Sequence, residues 1–290
     1  RYAGGHISGI CDFDGCGLYA CADKDAPKLD LADPYATTLL YSSALFWLRE
    51  YHADGLYLNA EGMIPDRVSG EFVRTLASGV RTGMPDALLL LRASGYRGLS
   101  AGQALGGLGY DLVIDPATEN ALLDCFSMPS ELRVGRRAWR EVLRGLYAED
   151  AIISLSSALC ARQSGSVMGS LSGTHAEKFA VMRLLYLFMT CLPGKKLTFM
   201  GSEIGQFREW DFEGQIEWFL LDYESHAKFQ YYTASLNHFY LSCPALWQRD
   251  DSWDGFAWID PDDRVGIFSA DGQLKPWKVA DEEMLIAIPG

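Results

Sequence analysis

The chain has 290 residues, 49% hydrophobic and 22% charged, and is long enough to bury roughly three quarters of its extended surface in one core. Its net charge of −13 repels phosphate backbones with no Lys/Arg cluster to offset it, which argues against nucleic acid and leaves neutral sugars compatible. No apolar run is long enough for a membrane span, and no basic segment leads into an apolar one as in a secretion signal.

From Thr38 to His52, the residues Leu40, Ala44, Trp47, Leu48 and Tyr51 fall near helical spacing, and Gly55 to Asn59 then reads as a strand. A helix over 71–80 follows, and then the unbroken run Ala87 to Leu91, the pattern of a parallel strand covered on both faces. Further strands are expected at Tyr110 to Ile114, Ala151 to Leu155 and Leu197 to Gly201, with helices near 118–125, 137–147 and 177–190. This alternation predicts a parallel sheet with right-handed crossovers. Five clear strands, and a sixth near Tyr2 and Ala3, fall short of a closed eight-stranded barrel. Either the first strands are missing from an excerpt, which the lack of an initial Met suits, or the sheet is open. Beyond Pro244 the texture changes to Trp-rich alternating runs at 256–259 and 265–268 with turns at Asp254-Gly255 and Asp271-Gly272. An antiparallel β domain is expected there, giving units 1–249 and 250–290.

Seven cysteines, an odd number, point to reduced thiols and a cytoplasmic setting. Cys11, Cys16 and Cys21 lack partners at zinc-like intervals, so free thiols are the better reading and no metal is expected. The GGLG at 106–109 lacks dinucleotide-fingerprint spacing and no phosphate loop is present, so no cofactor is expected either.

The stretch from Gly194 to Asp263, containing MGSEIGQFREWDFEGQIEWFLLDY, resembles bacterial glycogen (1,4-α-glucan) branching enzymes of the α-amylase superfamily almost residue for residue. FDGCGLYACAD (13–23), FWLREYHADGL (46–56), GGLGYDL (106–112) and EKFAVMRLLYLFM (177–189) fit the same family in order. The resemblance implies an α/β fold: a (β/α)8 TIM barrel of the α-amylase type, lacking its first strands and followed by part of an antiparallel β domain. It also implies the family's retaining chemistry, in which one carboxylate attacks the anomeric carbon and a carboxylic acid protonates the leaving oxygen.

Carried over residue by residue, the resemblance finds the catalytic positions substituted. Asn59 stands where the family has its nucleophilic Asp, and Tyr57 where it has Arg. The paired Glu residues fall on Leu91 and Arg92, so the acid position holds an alkyl side chain. The adjacent His and Asp after the seventh strand fall on Ser157 and Ala158, within SLSSALCARQSG (154–165), which has no acidic residue. His6 matches a bracing His, although a lone His is more often an ordinary polar residue. Glu203, Arg208, Glu209, Trp210 and Asp211 remain on the loop after the last strand, and Trp210, Trp218 and Trp253 are candidates to stack on sugar rings. The bland reading for each Trp is packing between barrel and β domain.

The reading that follows is a degenerate branching-enzyme relative, catalytically inactive, with a glucan-binding or regulatory role. One alternative is an active enzyme with relocated carboxylates at Glu61 and Glu203. Another is a structural module whose incomplete barrel is covered by a partner chain. The expected ligand class is α-glucan, with no nucleic acid and no membrane.

Overall fold

The computed structural model describes residues 30–61, 67–93, 107–128, 146, 150–155, 165–209, 211 and 213–250, and the backbone of 275–279 and 282–286. The chain divides into two compact units, Arg1–Leu112 and Val113–Gly290.

In the first unit, helix α1 (Pro34–Glu50) starts where Asp33, in extended conformation, accepts a hydrogen bond from the Tyr35 N–H at 2.7 Å. Pro34 follows at the first helical position, where a missing N–H costs nothing. Strand β1 (Gly55–Asn59), helix α2 (Arg67–Gly83) and strand β2 (Leu88–Arg92) come next. The two strands are parallel, in register from Gly55 beside Leu88 to Asn59 beside Arg92. Gly55 has no room for a side chain, since a Cβ there would press on the Leu88 carbonyl. The α2 side chains Phe72, Val73, Ala77 and Val80 are buried, as are Leu48 of α1 and Leu89 and Leu91 of β2. Helices α1 and α2 are tied by the Tyr41 hydroxyl, which donates to the Gly79 carbonyl at 3.2 Å.

Asp111 holds β2 from the side with two groups. Its N–H donates to the Leu89 carbonyl at 2.9 Å, and its carboxylate accepts from the Leu89 N–H at 2.7 Å. Arg81 of α2 reaches the same carboxylate at 2.5 Å, so helix and strand are fastened through one acidic side chain.

The second unit begins inside strand β3 (Leu112–Ile114), followed by α3 (Pro116–Ser127), which Asp115 caps with Pro116 in the first turn. Strand β4 (Ala151–Leu155) is buried at all five positions, as a strand covered on both faces must be. After it come the short α4 (Val167–Ser170), α5 (His175–Cys191), β5 (Lys195–Thr198) and α6 (Glu224–Ser242). β4 pairs in parallel with β3 and with β5. Thr174 and Glu177 form a reciprocal capping box at the start of α5. The core gathers Leu122, Leu123, Ile153, Leu155, Met182, Leu185 and Phe229, among others, beneath α5 and α6. Gly194, with φ +93°, turns α5 into β5 where a Cβ would lie 2.5 Å from the Ala151 carbonyl oxygen. Strands β6 (Lys275–Val279) and β7 (Glu282–Ile286) form an antiparallel pair.

The expected alternation of strands and helices is present where residues are described. Two parallel strands differ in their bounds: β3 spans 112–114, not 110–114, and the last one spans 195–198, not 197–201. Gly201, at φ +85°, takes the left-handed region and opens a 3-10 turn over Ser202–Ile204, which ends the extended run early. The helix expected at 137–147, the strand near Tyr2 and the strands at 256–259 and 265–268 lie outside the described residues, except buried Leu146, which is helical. Among the described residues, no helix is long and apolar enough to cross a membrane.

Candidate functional site

In the first unit, β1 and β2 end side by side, with Leu58 beside Leu91 and Asn59 beside Arg92. The ladder closes one residue further, where the Ala60 N–H donates to the Arg92 carbonyl at 2.9 Å. The Asn59 side-chain oxygen accepts from the Glu61 N–H at 3.2 Å, so this amide caps the turn that ends the strand. Tyr57, two residues earlier, is 52% exposed.

Leu91 is fully buried, with 0% exposure, and belongs to the apolar filling of the unit. Arg92 is nearly as buried, at 2%, yet carries a charge that cannot be shed by deprotonation. Its Nε donates to Glu61 Oε2 at 3.4 Å, and Glu61 is 25% exposed. The strand ends thus present an amide engaged in a turn, a leucine in the core and a carboxylate ion-paired with arginine.

In the second unit, the segment after β5 is shaped by Gly201 and Gly205, at φ +85° and +68°. Glu203 lies in the 3-10 turn between them, and its carbonyl accepts from the Thr233 hydroxyl at 3.3 Å. Gln206, 8% exposed, spans the loop beyond: its Nε2 donates to the Arg208 carbonyl at 3.3 Å and its Oε1 accepts from the Glu217 N–H at 3.1 Å. Asp211 accepts from Arg208 at 3.1 Å and from the Glu213 N–H at 3.0 Å. They brace the loop whose Arg208 and residues 213–219 line an open cleft of about 750 Å³, on which Trp218 and Phe219 stand 52% and 57% exposed.

Of the expected site residues, Asn59, Tyr57 and Leu91 are gathered at adjoining strand ends of the first unit, and Glu203 lies in the second. His6, Ser157, Ala158, Trp210 and Trp253 lie outside the described residues. Sequence reasoning did not single out Gln206, whose role comes from burial between two backbone groups and has no motif. Phe219 was also passed over, although its place beside Trp218 was a usable signal. Among the described residues, no group of three or more His, Cys, Asp or Glu is placed to hold a metal ion.

No protein-family model matches the chain. It is 33% identical over 287 residues to the 1,4-alpha-glucan branching enzyme GlgB of Halothermothrix orenii, a match covering 88% of this chain and 45% of that protein. The enzyme of the same name from Protochlamydia amoebophila is 33% identical over 292 residues, covering 87% of this chain and 39% of its own length. That of Aquifex aeolicus is 32% identical over 283 residues, covering 87% and 44%. The chain is a relative of the 1,4-alpha-glucan branching enzymes. It spans less than half the length of these curated relatives.

Among solved structures, a cyclomaltodextrinase matches with a TM-score of 0.60 at 20% identity, covering 85% of this chain and 40% of that one. The pullulanase from Bacillus acidopullulyticus matches at 0.59 and 17% identity, covering 85% and 34%. At such identities the likeness is one of fold alone. That fold is the α-amylase-type barrel, present here in part. Nothing in it decides what this branching-enzyme relative does, because chemistry resides in the site.

Proposed function

We propose that this branching-enzyme relative has lost double-displacement chemistry and retains α-glucan binding, in a structural or regulatory capacity. The observation that supports it is the pair of strand ends in the first unit. Retention requires one carboxylate to attack and a second carboxyl group about 5 Å away to protonate the leaving oxygen. In their place stand the turn-capping amide of Asn59 and the core side chain of Leu91, while Glu61 is drawn to Arg92. The resemblance assigns Ala158 to the third acidic site and Ser157 to the His before it, and neither side chain ionises. On this reading residues 1–249 are the barrel portion and 250–290 the start of the β domain, in a cytoplasmic protein.

The test is incubation of purified chain with amylose. The expected result is undiminished blue iodine colour and no new branch points after debranching. Turnover that Glu61→Gln or Glu203→Gln abolishes would refute the reading in favour of relocated carboxylates.

One observation favours a second reading, a module completed by another polypeptide. Among the described strands β5 pairs on one side only, and Leu197 and Met200 along it and just beyond are 43% and 51% exposed. A stable, monodisperse monomer in size-exclusion chromatography would count against it.

A further inference from the structure

We propose that Cys191 and Cys243 are a redox-sensitive thiol pair, which a hydroperoxide closes to a disulfide joining the C-terminal ends of α5 and α6. Cys191 is the last residue of α5, Cys243 caps the end of α6, and neither is in a disulfide here. The packing brings the two helix ends together. Near the start of α6, His226 Nδ1 lies 2.7 Å from the Ile204 carbonyl oxygen, beyond the end of β5. Near the end of α6, the Tyr240 ring lies 5.3 Å from the Lys196 side-chain nitrogen, at the start of β5. Helix α6 therefore runs against β5 and finishes where β5 begins, beside the Gly194 turn that ends α5. Higher up, the Tyr232 hydroxyl of α6 donates to the Arg183 carbonyl of α5 at 2.8 Å. A disulfide needs Cα atoms about 4.4–6.8 Å apart, which facing residues on helices packed at about 8–10 Å can meet.

Lys196 stands between the two ends. Its side-chain nitrogen donates to the Leu192 carbonyl at 2.6 Å and to the Gly194 carbonyl, and it faces Tyr240, three residues before Cys243. Burial pushes the Cys191 thiol up to about 12, while Lys196 draws it down and Cys243 pushes it up, so the three groups sense one another. Burial also draws Lys196 down to about 7, against the pull of Asp250, whose carboxylate is held by Lys195 at 2.9 Å. A neutral amine has two N–H groups, one for each carbonyl that Lys196 meets, and a lone pair to take a thiol proton.

Cys191, kept protonated by its burial, is the poorer first nucleophile, so Cys243 reacts first. Its sulfur attacks one oxygen of hydrogen peroxide, the O–O bond breaks, and the other oxygen leaves as water with the thiol proton, giving a sulfenic acid. Cys191 then passes its proton to the Lys196 amine and attacks the Cys243 sulfur. The S–S bond forms, the S–O bond breaks, and hydroxide leaves as water with the proton from Lys196. The two thiols lose two electrons and one peroxide gains them. The link encloses β5, the Gly201 and Gly205 turns and α6, so oxidation ties together both ends of the segment that carries the loop after β5.

The experiment treats the whole reduced chain with equimolar hydrogen peroxide, blocks the remaining thiols and maps linkages by mass spectrometry of the digested protein. A peptide joining Cys191 to Cys243 is expected as the main product, released by dithiothreitol, kept in Cys125→Ser and lost in Cys191→Ser and Cys243→Ser. In Cys191→Ser the sulfenic acid of Cys243 accumulates and is trapped by dimedone. Lys196→Met closes at least roughly tenfold more slowly. Closing raises the urea midpoint of the unaltered chain, whereas peroxide leaves that of both serine variants unchanged. Cys191 and Cys243 left unlinked, or either joined to a different cysteine, would overturn the pair. An undiminished rate in Lys196→Met would overturn the part given to Lys196. The unaltered chain alone decides the linkage, whichever variants fold.

Discussion

Placing a carboxyl group at position 91, as Leu91→Glu, is expected to damage the fold before it can help catalysis. Leu91 is fully buried in the first unit. Removing its side chain forfeits about 2–5 kcal/mol, as in other large-to-small core changes. Glutamate fills most of that volume but must be buried either charged or neutral. Held neutral at pH 7 against an ordinary value near 4.3, it costs about 3.7 kcal/mol, at roughly 1.36 kcal/mol per pH unit. An unmet hydrogen bond adds about 1–3 kcal/mol. The expected loss is roughly 5–7 kcal/mol, comparable to the whole stability of a typical domain, about 5–15 kcal/mol.

The sign with pH follows from the raised folded-state value. Between about 4.3 and that value the folded form binds more protons, so stability falls as pH rises and recovers on acidification. Lowering the pH from 7 to 5 should return about 2.7 kcal/mol relative to the unaltered chain. Urea denaturation followed by circular dichroism at both pH values measures this. A Leu91→Glu variant within about 1 kcal/mol of the original at both pH values would show that position 91 opens onto solvent or polar space, and the argument from burial would fail.

Three further outcomes are expected. A double-mutant cycle of Glu61→Gln and Arg92→Met should give a coupling of about 1 kcal/mol or more; a coupling indistinguishable from zero would remove the ion pair from the account of the site. Gly194→Ala should destabilise by at least about 1–2 kcal/mol, because L-residues resist positive φ and the Cβ meets the Ala151 carbonyl; an unchanged urea midpoint would contradict the tight turn. Lys196, whose ammonium donates to the Leu192 and Gly194 carbonyls, is pushed by burial from 10.5 down to about 7, with Asp250 and Cys191 opposing the shift. The unfolded chain therefore binds the extra proton between about 7 and 10.5, and wild-type stability gains from this group as pH rises through that window. Any advantage of Lys196→Met over wild type should be greatest below pH 7 and shrink toward pH 10; a pH-independent difference would refute it.

The strands were legible because buried parallel strands leave a local signature, as in the leucine run of β2 and the apolar AIISL of β4. Thr174 with Glu177 three residues on spells the capping box of α5, a local signal that the expectation of a helix near 177–190 passed over. β5 was expected two residues late, although the backbone of Lys195 and Lys196 already pairs with β4. At the site, the substitution of Asn59 could be read by resemblance, but its use as a turn cap is a matter of geometry. The Glu61–Arg92 pair joins residues 31 apart in sequence, and the Gln206 brace joins backbone groups that only the folded loop brings together. Such contacts have no spacing rule, so they become visible only in three dimensions.

The double grip of Asp111 on Leu89 fixes more than a local contact. Side chains along a strand alternate between faces, so a slip of a single residue would turn the whole of β2 over. Leu91 and Arg92, both buried but on opposite faces, would then exchange faces, setting a guanidinium against the apolar interior. By clasping both the N–H and the carbonyl of one leucine, a lone aspartate acts as a registration pin for the strand.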